Sequence, residues 1–144
     1  MLEREVLKAR LQMPALMHNW KDVEKNAFSH PAYMKLREFI DTQREFEQVN
    51  LEAVESDELK SFITELTVEP IRTDGEISDR YVSSITARLN EVALSRSIAE
   101  VKSTLQRLNP VENEVEYNQI FGELVGMETK RRALRELALG EGLT

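Results

Sequence analysis

No cysteine occurs among the 144 residues. Disulfides, thiolate metal ligands and a cysteine nucleophile are therefore excluded, and a reducing compartment suits the chain. There are only five glycines, most of them late in the chain, and four prolines, so long helices meet few breaks. No apolar run reaches the eighteen or so residues that a membrane-spanning helix needs. The start, Met1-Leu2-Glu3-Arg4-Glu5, is charged and then helical, unlike a signal peptide. Positive charge is in deficit: 19 Lys and Arg stand against 26 Asp and Glu, a net charge of -7. That balance argues against a general phosphate-backbone binder, although a local basic patch is still allowed. Period-two runs of β-branched residues are few, and no good hairpin signal occurs. GxxxxGK[ST], GxGxxG, GxSxG and HExxH are missing.

What is there is helical periodicity, and it centres on Ser78 to Leu108. Ser78 suits an N-cap and Asp79 suits the first turn. Apolar residues recur at Tyr81, Val82, Ile85, Leu89 and Val92, then at Leu94, Ile98, Val101, Leu105 and Leu108. Both runs step by three or four, and the second starts displaced around the helix from the first. The spacing predicts one helix serving two partners, roughly 45 Å long and too long for one small bundle.

Upstream, a helix is expected over Leu2–Gln12, with an apolar stripe at Leu2, Val6, Leu7 and Leu11. A short helix should follow over Ala15–Trp20 after Pro14, then a short helix or turns over Val23–Phe28. Ser29-His30-Pro31 signals a further start, with Ser29 as cap and the helix running to about Phe46. Gln43 to Val54 is polar and should include a loop. Ser56 caps a helix striped by Leu59, Phe62, Ile63 and Leu66 and ended by Glu69-Pro70, and Arg72-Thr73-Asp74-Gly75 reads as a turn. Beyond Asn109-Pro110, a last helix is expected from about Glu112 to Leu139, stopped by Gly140 and Gly142. The architecture is thus all-α: a small helical bundle over residues 1–92, joined by the long shared helix to a C-terminal two-helix hairpin over residues 93–144.

Candidate chemistry is thin. His18 and His30 are the only histidines; Asp22 and Glu24 lie near His18, but no metal-ligand spacing is present, and solvated or capping roles are the simpler reading. No carboxylate sits in an apolar frame, so no catalytic residue, cofactor or metal is expected. Arg4, Lys8 and Arg10 read as a solvated helix face, or else as a pocket for an acidic peptide. Lys130, Arg131, Arg132 and Arg135 complement the helix dipole and pair with acids such as Glu128, and no aromatic residues are interleaved with them for base stacking. A two-helix hairpin does not bury all its faces, so some of Leu105, Leu108, Val111, Val115, Tyr117, Ile120, Phe121 and Leu124 should meet another surface. Composition alone says helical interaction module.

Particular segments carry a resemblance. Glu3-Arg4-Glu5-Val6-Leu7-Lys8 with Leu11-Gln12-Met13-Pro14-Ala15-Leu16 resembles the opening of the C-terminal domain of bacterial DNA primase, and so does Phe28-Ser29-His30-Pro31-Ala32-Tyr33 with Leu36-Arg37. The run Ile98 to Pro110 resembles that domain's entry into its hairpin, most closely in actinobacterial members, and Glu116-Tyr117-Asn118 with Phe121-Gly122-Glu123-Leu124 and Arg131-Arg132 continues it. The resemblance implies a non-catalytic domain at the cytoplasmic replication fork. Its bundle and hairpin engage the N-terminal domain of the replicative helicase, with the hairpin as main docking element at the eight apolar residues named above. It implies a zinc-binding and a polymerase domain upstream, so that Met1 is not the native start. It also implies a groove near the first helix for the acidic C-terminal tail of single-stranded-DNA-binding protein. Arg4, Lys8 and Lys60 are the candidate residues there, and the acidic Glu3 is a departure. The rival reading is a helical nucleic-acid-binding or adaptor domain unrelated to primase.

Overall fold

The structure, a computed structural model, describes residues 2–71 and 78–140. Five α-helices occur among them: α1 (Leu2–Gln12), α2 (Pro31–Asp41), α3 (Asp57–Val68), α4 (Asp79–Arg107) and α5 (Glu114–Gly140). No strand occurs among the described residues. The expected turn at Arg72–Gly75 and the stop at Gly142 lie outside them.

Helix α1 runs through the middle of the bundle, packed by α2, α3 and α4. Val6, Leu7, Ala9 and Leu11 are buried, and so are Lys8 and Arg10, at 0% and 1% exposure. The solvated face expected for the basic residues of α1 is therefore corrected at these two. Burial of a charged group is tolerable when it finds partners. Arg10 donates to the carbonyls of Arg44 and Glu47, each at 3.1 Å, and stands 5.9 Å from the Trp20 ring. Burial with no direct carboxylate partner pushes its pKa down, opposed by the charges of Glu45 and Asp41.

The segment after α1 forms two 3₁₀ turns, Pro14–Leu16 and Trp20–Asp22, instead of one short helix. Their closing bonds, Met17 N–H to Pro14 O and Val23 N–H to Trp20 O, span three residues. Helix α2 is capped by His30, whose Nδ1 accepts from Ala32 N–H at 3.1 Å, and not by Ser29. It ends at Asp41, short of Phe46: Thr42 N–H and hydroxyl both donate to Phe39 O and Gln43 N–H donates to Ile40 O, three-residue bonds that tighten and close the last turn. Phe46 itself takes φ 64°, a left-handed conformation that no helix accommodates. Ser56 caps α3 through Leu59 N–H, and Gln12 closes its far end by donating to Leu66 O and Glu69 O at 2.8 and 2.6 Å.

Ser78 caps α4 through Tyr81 N–H, and α4 then runs unbroken for 29 residues. Val82, Ile85, Leu89 and Ala93 join the bundle core. Leu94, Ile98 and Leu105 are buried on the second stripe, roughly a third of a turn away at the helical 100° per residue. Val92, expected in the first stripe, falls outside both and is 47% exposed. At the turn, the Asn109 side chain accepts from Val111 N–H at 2.8 Å and Glu112 N–H at 3.2 Å, and its backbone carbonyl accepts from Asn113 N–H at 2.9 Å, a helix-initiating arrangement from which α5 follows at Glu114. Helix α5 returns along most of α4, as far as Ser84, whose hydroxyl donates to Ala138 O at 2.9 Å.

Candidate docking surface

The long apolar stripes of α4 and α5 divide the hairpin candidates by depth. Leu105 is buried at 8% exposure, and Leu108, Tyr117, Ile120 and Leu124 are half-buried. These five pack the hairpin itself. Val111, Val115 and Phe121 are 85%, 83% and 49% exposed, and Val125, one turn beyond Phe121, is 52% exposed. Val125 was missed in the sequence reading; its position four residues after Phe121 is the signal that would have included it. Tyr117 and Phe121 stack at 6.5 Å, so the exposed ring is held on a half-buried one.

Gly122 and Gly126 lie on the side of α5 away from α4, and a Cβ built on either meets nothing within 4 Å. Glycine in a helix interior costs about 1 kcal/mol relative to alanine. Nothing among the described residues makes use of that smallness. Glu112, Glu114, Glu116 and Glu123 are exposed around the same end of the hairpin, so the apolar surface has an acidic rim. Further along α5 the basic cluster is partly engaged. Glu128 accepts from Arg131 at 2.9 Å and pairs with Lys102 at 3.4 Å, and the Arg131 hydrogen bond holds its carboxyl below the usual range. Lys130 pairs with Glu24 at 2.6 Å. Arg132 and Arg135 are exposed.

The second candidate, on α1, is occupied from within the chain. Arg4 Nε donates to Glu69 Oε1 at 3.0 Å and its Nη2 donates to Glu65 at 3.1 Å. The buried Lys8 ammonium reaches Glu69 at 3.2 Å, Pro70 O at 2.9 Å and, on its own helix, Glu5. The Arg4 hydrogen bonds hold the Glu69 carboxyl down at about 2, with Lys8 adding to the effect. Lys60 is exposed on α3. Glu3, the acidic departure, accepts from Ser29 N–H at 2.7 Å and from its hydroxyl at 2.9 Å, which ties α1 to the start of α2. Glu69 was not anticipated: it lies about sixty residues from its partners, beyond the reach of any local pattern.

His30 caps α2, while His18 stands 3.4 Å from Asp79 and 5.7 Å from the Phe46 ring. Among the described residues, no group of three His, Asp or Glu side chains could hold a metal ion, and no helix is long and apolar enough to cross a membrane.

Comparison with known proteins gives this surface a context. The family described as "DNA primase DnaG DnaB-binding" matches residues 3–120. DNA primase of Mycobacterium tuberculosis is 41% identical over 152 positions, covering 99% of this chain and 24% of that protein. DNA primase of Mycolicibacterium smegmatis is 42% identical over 153 positions, with the same coverage of each. The chain thus spans about a quarter of the length of these curated relatives. A solved structure described as the helicase-binding domain of primase from Mycobacterium tuberculosis is 40% identical, with a TM-score of 0.75 over 96% of this chain and 92% of that one. Sequence and fold agree over nearly the whole length, and the chain belongs to the DnaB-binding family of DNA primase.

Proposed function

We propose that this chain is the non-catalytic part of a DNA primase that docks on the N-terminal domain of the replicative helicase. The observation that carries the reading is the set of exposed apolar residues Val111, Val115, Phe121 and Val125 on the hairpin of a chain in this family. A contiguous exposed apolar surface rimmed by charge is the mark of a partner site. Gly122 and Gly126 let a partner backbone approach α5 closely at the centre of that surface. The acidic rim favours a partner surface of basic charge. Docking holds primer synthesis beside the unwinding fork in the bacterial cytoplasm and raises the effective concentration of the polymerase near the emerging strand. As functional units we take residues 1–92 and 93–144, with α4 shared between them.

Titration calorimetry against the helicase N-terminal domain tests the reading. Val111→Asp with Val115→Asp should weaken binding at least tenfold while leaving the melting temperature within a degree or two of the parent. Unchanged affinity moves docking away from the hairpin tip.

The acidic tail of single-stranded-DNA-binding protein is a second proposed partner, at Arg4, with Lys60 as a further exposed cation on α3; Lys8, the third candidate, is wholly buried and bears on the site only through its hold on Glu69. What favours it is the partly exposed Arg4, lying 5.9 Å over the Phe62 ring; Lys60 is exposed but stands two residues from Phe62, on another face of α3. Such a tail has to displace Glu69 from Arg4, so Glu69→Gln should tighten binding of a tail peptide. Equal affinity for parent and variant would count against this site.

A further inference from the structure

Bundle and hairpin meet through several contacts, and three hydrogen bonds converge on one residue there. Glu24 lies in the connection between the Trp20–Asp22 turn and α2, and each of its polar groups is held by a different helix. Its backbone N–H donates to Asn90 Oδ1 of α4 at 2.9 Å. Its carbonyl accepts from Arg37 of α2, which also binds Val23 O at 2.8 Å. Its carboxylate accepts from Lys130 of α5 at 2.6 Å, across 106 residues of chain. Asn90 is itself buried and donates back to Asp22 O at 3.1 Å, which fixes the connection on α4. Two residues on, Asn26 donates to Ser97 Oγ at 2.9 Å and offers its carbonyl to Arg96. The bundle thus grips α4 between Asn90 and Ser97, the stretch where the helix leaves it.

We propose that Glu24 is a positioning residue: anchored to the bundle through its backbone, it latches α5 through Lys130 and so sets the angle of the hairpin. The inference concerns this chain alone and stands whatever the hairpin docks on. The Lys130–Glu24 pair is partly exposed, and such pairs contribute little to global stability. A hairpin joined to its bundle by one continuous helix, however, has neighbouring orientations of similar energy, and a small difference selects among them. The pair is also sensitive to salt, since exposed charges are screened.

The cysteine-free chain makes the test direct. Spin labels on Ser61→Cys of α3 and Gln119→Cys of α5, both exposed positions, report the bundle–hairpin distance by double electron–electron resonance. The parent should show one narrow distribution. Lys130→Ala and Glu24→Gln should each broaden or shift it with an unchanged helical circular-dichroism signal, and the swap Glu24→Lys with Lys130→Glu should restore it. Unchanged distributions in the two single variants, or a swap that leaves the distribution broad, overturn the proposal.

Discussion

The Arg4 guanidinium and the Glu69 carboxylate, 65 residues apart in sequence, meet through two or more hydrogen bonds, with Nε at 3.0 Å from Oε1 and 3.2 Å from Oε2. The contact joins the start of α1 to the end of α3, and Lys8 lies beneath it. It explains why α1, with charged residues on several faces, sits at the centre of a bundle: its cations are matched inside the fold.

Glu69 makes stability depend on acid. Its carboxyl ionises at about 2 in the folded chain against an ordinary value of 4.5. A depressed carboxylate stabilises the fold fully above its unfolded pKa and loses that contribution as pH falls toward its folded one. Thermal melts should therefore show stability declining from about pH 4.5 to about pH 2, and Glu69→Gln should flatten that part of the profile. Equal slopes for parent and variant would remove Glu69 from the acid response.

Leu105 and Val115, both docking candidates from sequence, should behave oppositely. Leu105 is buried between the hairpin helices, so Leu105→Ala should cost about 2–4 kcal/mol in chemical unfolding. Val115 is 83% exposed, so Val115→Ala should change stability by no more than about 0.5 kcal/mol and show its effect in helicase binding.

Gly126→Ala separates stability from docking. The added methyl meets nothing within 4 Å, and alanine is favoured in a helix by about 1 kcal/mol. The variant should unfold at higher denaturant concentration yet bind the helicase N-terminal domain more weakly. Binding as tight as the parent's would show that no partner backbone comes close at this glycine.

Arg10→Ala should loosen the segment between α2 and the Leu51–Ala53 turn. It removes charged donors from the carbonyls of Arg44 and Glu47, bonds worth about 1.5–3 kcal/mol together with the desolvation left behind. Faster amide hydrogen exchange over residues 43–50, with α5 unchanged, is the expected result.

The bounds of α1, the Ser56 and Ser78 caps, the span of α4 and the two stripes along it could all be read from sequence. Each is a local pattern: a cap, a proline, a period of three to four. The candidate docking surface was legible as a set of apolar residues but not as a face. Periodicity ranks positions by side of the helix, and α5 carries apolar residues on both its inward and outward sides, so the half-buried Leu124 and the exposed Val115 looked alike. The α2 end was misplaced because the three-residue bonds that close it, from Thr42 and Gln43 to Phe39 O and Ile40 O, and the left-handed Phe46 beyond leave no periodic signal in the sequence.

The sequence by itself determined an all-α chain with a long two-sided helix and a reversing Asn109-Pro110 turn, because hydrogen bonding within helices and turns depends on neighbours in the chain. Tertiary structure alone decided which charges are buried, which apolar residues remain outside, and how the hairpin is held. Lys8 and Arg10 became interior because Glu69 and two loop carbonyls arrive from distant segments to satisfy them. Val111 remained outside because it sits in the Asn109 turn, and Val115 because it lies on the side of α5 opposite Tyr117, Ile120 and Leu124. Glu24 came to hold α2, α4 and α5 together because three long-range hydrogen bonds converge on a residue that, read along the chain, is an ordinary acid in a loop.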